Sequence, residues 1–123
     1  MTHEQKKVLL IDDSSVNNLL LQNILEEENY QVMVAFSGKE GLEIAKSEKP
    51  DLILLDIMMP RMDSIEVLKK IKSDDKTRDI PVIMLTAKLD NADKKTSLDM
   101  GAIDYINKPV NIDYILTKVR NIL

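Results

Sequence analysis

Three short unbroken apolar runs constrain this chain most: Val8-Leu9-Leu10-Ile11, Leu52-Ile53-Leu54-Leu55 and Val82-Ile83-Met84-Leu85. A strand with one face in water alternates apolar and polar residues, whereas a strand covered on both faces has no polar side to show. The runs are also far too short to cross a bilayer. They predict the central strands of a parallel sheet sandwiched between helices. Gln31-Val32-Met33-Val34-Ala35 and Tyr105-Ile106-Asn107 are more polar, as edge strands are, and they bring the expected strand count to five, with mixed pairing allowed at the edges.

Helical spacing fills the gaps. It is carried by Val16, Leu20 and Ile24 with Leu21 and Leu25, by Leu42 and Ala45, by Ile65, Leu68 and Ile71, and by Ile112, Ile115, Leu116 and Val119. Helix-start residues stand where they should: Ser14-Ser15, Ser37-Gly38, Asp63-Ser64 and Asn111. Segment 91–100 is less apolar and ends at Gly101, a helix-stopping residue, which makes it the loosest of the expected helices. Strand and helix alternate throughout, without repeat or linker, so residues 1–123 are expected to form one α/β domain with a doubly wound sheet. Ligands of such sheets bind beyond the carboxyl ends of the strands.

Charge and composition narrow the partners. Seventeen Lys and Arg against 21 Asp and Glu leave a formal net charge of −4, unsuited to a broad nucleic-acid surface, which needs excess positive charge to release counterions. No direct nucleic-acid contact and no membrane contact are expected. The chain has no Cys, so disulfides, thiolate metal sites and thiol nucleophiles are excluded. The opening Met1-Thr2-His3-Glu4-Gln5-Lys6-Lys7 lacks the apolar stretch of a secretion signal, and a cytoplasmic location is expected.

The strand ends carry the chemistry. Ile11 gives way to Asp12-Asp13, Leu55 to Asp56, Leu85 to Thr86, and the fifth run to Lys108-Pro109. Any one of these could be a turn former or cap, but together they point to one rim of the sheet. Converging carboxylates about 5 Å apart repel by roughly 3 kcal/mol at an effective dielectric near 20, so a cluster of three needs a cation or a proton. Oxygen ligands without His or Cys favour Mg²⁺, with Mn²⁺ as the alternative. A lysine and a threonine hydroxyl beside such a cation suit the oxygens of a phosphoryl group.

With Asp56-Ile57-Met58-Met59-Pro60-Arg61-Met62-Asp63, Thr86-Ala87 and Lys108-Pro109 following Asp12-Asp13 in order, the chain resembles the receiver domain of bacterial two-component response regulators over essentially its whole length. The resemblance implies a flavodoxin-like sheet with strand order 2-1-3-4-5. It implies that Asp56 is the nucleophile that takes a phosphoryl group from a histidine kinase or phosphotransfer protein. It further implies that Asp13, Asp56 and the backbone carbonyl of Met58 hold Mg²⁺, with Asp12 acting mainly through water. Thr86, Lys108 and the Ala87 N–H would hold the phosphoryl oxygens, and the Lys108-Pro109 bond would be cis. Thr86 and Tyr105 would be the switch pair that transmits phosphorylation to a downstream protein partner or a tethered output domain. Such a domain catalyses only its own phosphorylation and dephosphorylation.

One residue departs from the family pattern: Ser64 stands where Gly usually follows the Met-Asp pair, and it is expected either to carry backbone strain or to have moved the loop. A flavodoxin-type electron carrier is disfavoured because Asp12-Asp13 would repel its cofactor phosphate and aromatic residues are only 3% of the chain. A haloacid-dehalogenase-type phosphatase needs an acid where Met58 stands. A pseudo-receiver, a phosphorylation-independent interaction module of the same fold, usually lacks one of the acidic residues, the Thr or the Lys, all of which are present. Elsewhere, His3 lies in a polar terminal stretch, Met33 and Met84 are expected to fill the core, and Lys69-Lys70 and Lys94-Lys95 read as solvated helix faces. Leu19 falls off the apolar stripe of the first helix and is the candidate contact for a phosphodonor.

Overall fold

The computed structural model describes residues 5–56, 64–86, 98, 101–107 and 111–123, apart from the side chains of Thr86 and Asn107. Its elements run β1 (Lys7–Ile11), α1 (Ser15–Glu27), β2 (Gln31–Ala35), α2 (Gly38–Glu48), β3 (Leu52–Asp56), α3 (Ser64–Ser73), β4 (Val82–Thr86), β5 (Asp104–Asn107) and α4 (Ile112–Ile122). The sheet order is β2-β1-β3-β4-β5, and every pairing is parallel, the edge strands included. Segment 91–100, apart from Leu98, lies outside the described residues, as do His3 and Lys94-Lys95. Gly101 adopts a φ of 107° and its N–H donates to the Leu98 carbonyl at 3.1 Å, as a helix-ending glycine does.

The unbroken apolar runs follow directly from the packing. Leu9, Ile11, Ile53, Leu55, Val82 and Met84 join the core beneath α2 and α3. Their alternate neighbours Val8, Leu10, Leu52, Leu54, Ile83 and Leu85 join the opposite core beneath α1 and α4. Period two sends each strand's side chains to both faces, and both faces are closed. Each of these large side chains contributes about 1.5–3 kcal/mol through burial. On edge strand β2, Gln31 is exposed while Val32, Met33 and Val34 are half-buried, so Met33 borders the core that Met84 helps to fill.

Side-chain caps start three of the helices. Ser14 and Ser37 accept the N–H groups of Asn17 and Glu40, and Asn111 accepts that of Tyr114. The Glu40 carboxylate also accepts the Phe36 N–H, tying the entry to α2 from both sides.

The apolar stripe expected on α1 is corrected by the structure. Asn18, Leu21 and Leu25 are buried, whereas Val16 and Leu20 are 73% and 53% exposed, alongside Leu19 at 58%. The helix is turned by a polar tether that hydropathy does not register: the buried Asn18 amide donates to the Asp12 carbonyl at 2.8 Å. On α4, Ile115 and Val119 are buried, while Ile112 is about half exposed at the first turn.

The packing of α2 on β1 leaves no room at Gly41. A Cβ built there would lie 2.4 Å from Cδ1 of the fully buried Ile11. Gly41→Val is therefore expected to destabilise the protein by about 1–3 kcal/mol through overpacking, read from the midpoint of urea unfolding. An unchanged midpoint would show that Ile11 can give way.

Candidate functional site

Register builds the site. Ile11 of β1 pairs with Leu55 of β3, so the next residue on each chain, Asp12 and Asp56, arrives at the same end of adjacent strands. Asp56 is the last residue of β3 and not the first after it; it pairs with Leu85 of β4. Carboxylate oxygens of Asp12, Asp13 and Asp56 all lie within 4.8 Å of one another. Asp12 and Asp56 are 2% and 3% exposed, and Asp13 is open to solvent.

Asp12 is braced through its backbone and its carboxylate. Its N–H donates to the Ala35 carbonyl at 3.1 Å, and its own carbonyl accepts from Asn18. One carboxylate oxygen accepts the Ser14 N–H at 2.9 Å and the other the Asn17 amide at 3.4 Å. Those donors partly offset the charge and occupy lone pairs, which suits a carboxylate that meets a cation through water. The exposed Asp13 carboxylate makes no hydrogen bond or ion pair among the described residues. Hard oxygen donors with no sulfur or imidazole among them fit Mg²⁺ or Mn²⁺.

Ser64 is a second finding that hydropathy and spacing could not supply. It is the first residue of α3, fully buried, and its hydroxyl donates to the main-chain carbonyl of Asp56 at 2.5 Å. Among the described residues the non-glycine residues with positive φ are Asn29 and Lys49, so of the two outcomes expected at Ser64 backbone strain does not arise, and the loop before it lies outside the described residues. The hydroxyl gives the side chain a reason to face inward.

Thr86 ends β4 in register with Asn107 of β5, which brings its backbone to the same rim. Its side chain, together with Met58, Ala87 and Lys108, lies outside the described residues. Tyr105 pairs with Met84 and is half-buried against the core beneath α2 and α3. Beside it, Asp104 forms an ion pair with Lys118 of α4, and that hydrogen bond holds the Lys118 pKa above its ordinary value. The Lys118 ammonium also lies 5.3 Å from the centre of the Tyr114 ring.

The sequence pattern that defines the response regulator receiver domain matches residues 8–120. The chain belongs to this family. Among similar proteins, the receiver is 42% identical over 118 residues to the alkaline phosphatase synthesis transcriptional regulatory protein PhoP of Bacillus subtilis, covering 96% of this chain and 48% of that protein. It is 39% identical to the response regulator PleD of Caulobacter vibrioides, over 94% of this chain and 26% of PleD. The receiver thus spans about half, or less, of the length of these relatives. Among solved structures, the chemotaxis protein CheY4 of Vibrio cholerae superimposes with a TM-score of 0.92 at 28% identity, covering 98% of this chain and 100% of that one. The receiver domain of a signal transduction histidine kinase from Syntrophus aciditrophicus gives 0.87 at 35% identity, covering 96% and 89%. These likenesses bear out the doubly wound, flavodoxin-like fold with strand order 2-1-3-4-5. Among the described residues, no helix is long and apolar enough to cross a membrane.

Proposed function

We propose that residues 1–123 form one phosphorylation-controlled switch, in which Asp56 accepts a phosphoryl group from a histidine kinase or phosphotransfer protein. The convergence of the Asp12, Asp13 and Asp56 oxygens within 4.8 Å carries this reading. An Asp56 carboxylate oxygen attacks phosphorus, an O–P bond forms, and the bond from phosphorus to the donor breaks with its electron pair leaving on the donor. Asp13, Asp56 and the Met58 carbonyl would hold Mg²⁺, with Asp12 acting mainly through water, and Mn²⁺ could substitute. When bound, the cation offsets the carboxylate charge and that of the phosphoryl oxygens. Lys108 pairs with a phosphoryl oxygen, and the Thr86 hydroxyl and Ala87 N–H donate to the others.

The domain acts on no external substrate. Its product is a change of partner affinity, passed to a separate protein or to an output domain on the same polypeptide. A cytoplasmic location and the absence of direct nucleic-acid contact by this chain are part of the proposal, the latter resting on the net charge of −4. The exposed Val16, Leu19 and Leu20 on α1, the helix that follows Asp12-Asp13, offer the phosphodonor an apolar face.

Incubation with acetyl phosphate and Mg²⁺, followed by intact mass measurement, tests the reading. One added phosphoryl group, stable to acid and lost in hydroxylamine, is expected. An unchanged mass would mark the chain as a pseudo-receiver.

Shifting a population from 1:99 to 99:1 takes about 5.5 kcal/mol of differential stabilisation. Contacts that Thr86 and Lys108 make only to the phosphorylated state supply part of it, and Tyr105 on β5 follows. Thr86→Ala is therefore expected to accept the phosphoryl group, while NMR shifts around Tyr105 and residues 90–100 respond much less than in the unaltered protein. Equal responses in the two proteins would remove Thr86 from the coupling route.

A further inference from the structure

We infer that Ser64 is a positioning residue for the metal site, an inference that rests on the Mg²⁺-dependent reading above. A serine inside a helix can satisfy its hydroxyl on a carbonyl of the preceding turn, but Ser64 opens α3, which has no turn before it. Ser64 instead reaches eight residues back, to the carbonyl of Asp56, across the segment 57–63. Donor and acceptor residues are both buried, Ser64 at 0% and Asp56 at 3% exposure, so the bond is shielded from competing water.

The bond has a geometric consequence. It joins the last residue of β3 to the first residue of α3 and so fixes both ends of the connecting segment to one another. The Asp56 carboxylate springs from one of those ends, and Met58 lies two residues beyond it. A cation that draws on the Asp56 carboxylate finds its attachment point already held, and less conformational freedom is lost on binding. Ser64 touches neither the cation nor the phosphoryl group; it acts through the Asp56 main chain. An alanine would leave a buried carbonyl without this donor, and a threonine would keep it.

The effect belongs in metal affinity more than in the chemical step. Ser64→Ala should raise the Mg²⁺ dissociation constant about fivefold, the equivalent of one hydrogen bond of about 1 kcal/mol. Its maximal phosphorylation rate by acetyl phosphate at saturating Mg²⁺ should stay near that of the unaltered protein. Ser64→Thr should bind Mg²⁺ nearly as the unaltered protein does. In the metal-free state the Asp56 carbonyl ¹³C resonance should move upfield in Ser64→Ala, because a hydrogen bond to that oxygen has been lost. Equal Mg²⁺ affinity in Ser64→Ala and the unaltered protein, or an unmoved Asp56 carbonyl resonance, would overturn the inference and leave the receiver function intact. A saturating rate that fell as far as the affinity would also overturn it, as the mark of general structural damage. Failure of the unaltered protein to bind Mg²⁺ would overturn the functional reading itself, and this inference with it.

Discussion

Asp56→Asn is expected to reduce phosphoryl incorporation from acetyl phosphate to background while leaving the fold unchanged. The side chain ends β3 at 3% exposure, within 4.8 Å of two further carboxylates. Asparagine has nearly the same shape, so the packing and the Ser64 bond to the main-chain carbonyl persist. What disappears is the anionic oxygen that attacks phosphorus, because an amide oxygen at neutral pH is a poor nucleophile. Asp12 and Asp13 remain and do not take over. Asp12 is braced by Ser14, Asn17 and Asn18, and Asp13 is turned to solvent. Intact mass measurement reads the result, and labelling at the unaltered level would remove Asp56 from the nucleophile role.

The second large effect is on the cation. Asp13→Ala should weaken Mg²⁺ binding by on the order of a hundredfold, since loss of a direct ligand should cost at least as much as loss of an outer-shell partner. Asp13 is exposed, and no hydrogen bond among the described residues depends on it, so thermal stability should change little. Lys108→Ala should leave Mg²⁺ affinity within a few fold and impair phosphorylation or its consequences, because its ammonium is assigned by proposal to the phosphoryl oxygens and not to the cation. Calorimetric titration separates the two roles. Equal Mg²⁺ affinity in Asp13→Ala and the unaltered protein would contradict the assignment.

The parts of this molecule that could be read from its sequence share a physical character. Burial on both faces writes itself into a strand as an unbroken apolar run, and Val8, Leu54 and Met84 lie where that rule puts them. Strand ends are equally legible, because parallel strands in register deliver Asp12 and Asp56 to one rim. What stayed hidden depends on single polar contacts across the fold. Val16 and Leu20 satisfy the helical period as well as Leu21 and Leu25 do, and the face that turns inward is the one that carries the Asn18 bond to the Asp12 carbonyl. Ser64 shows the same limit. As a departure from Gly it suggested strain, yet its hydroxyl finds an acceptor eight residues away in sequence and immediately adjacent in space. Ser14 and Asn17 sit close enough in sequence to Asp12 to be suspected as its donors; Ser64 does not sit close to Asp56. Such contacts have no periodicity, and a sequence carries no other mark of them.

Whether the phosphoryl group resides on Asp56 can be determined chemically. Borohydride reduces an acyl phosphate to an alcohol and leaves free carboxylates untouched, so a phosphorylated aspartate is recorded as homoserine. The unaltered protein, treated with acetyl phosphate and Mg²⁺, reduced, digested and sequenced by tandem mass spectrometry, should show homoserine in place of Asp56, with Asp12 and Asp13 unchanged. Omission of Mg²⁺ should abolish the conversion. Conversion at Asp12 or Asp13, or conversion at Asp56 that proceeds equally well without the cation, would contradict the account.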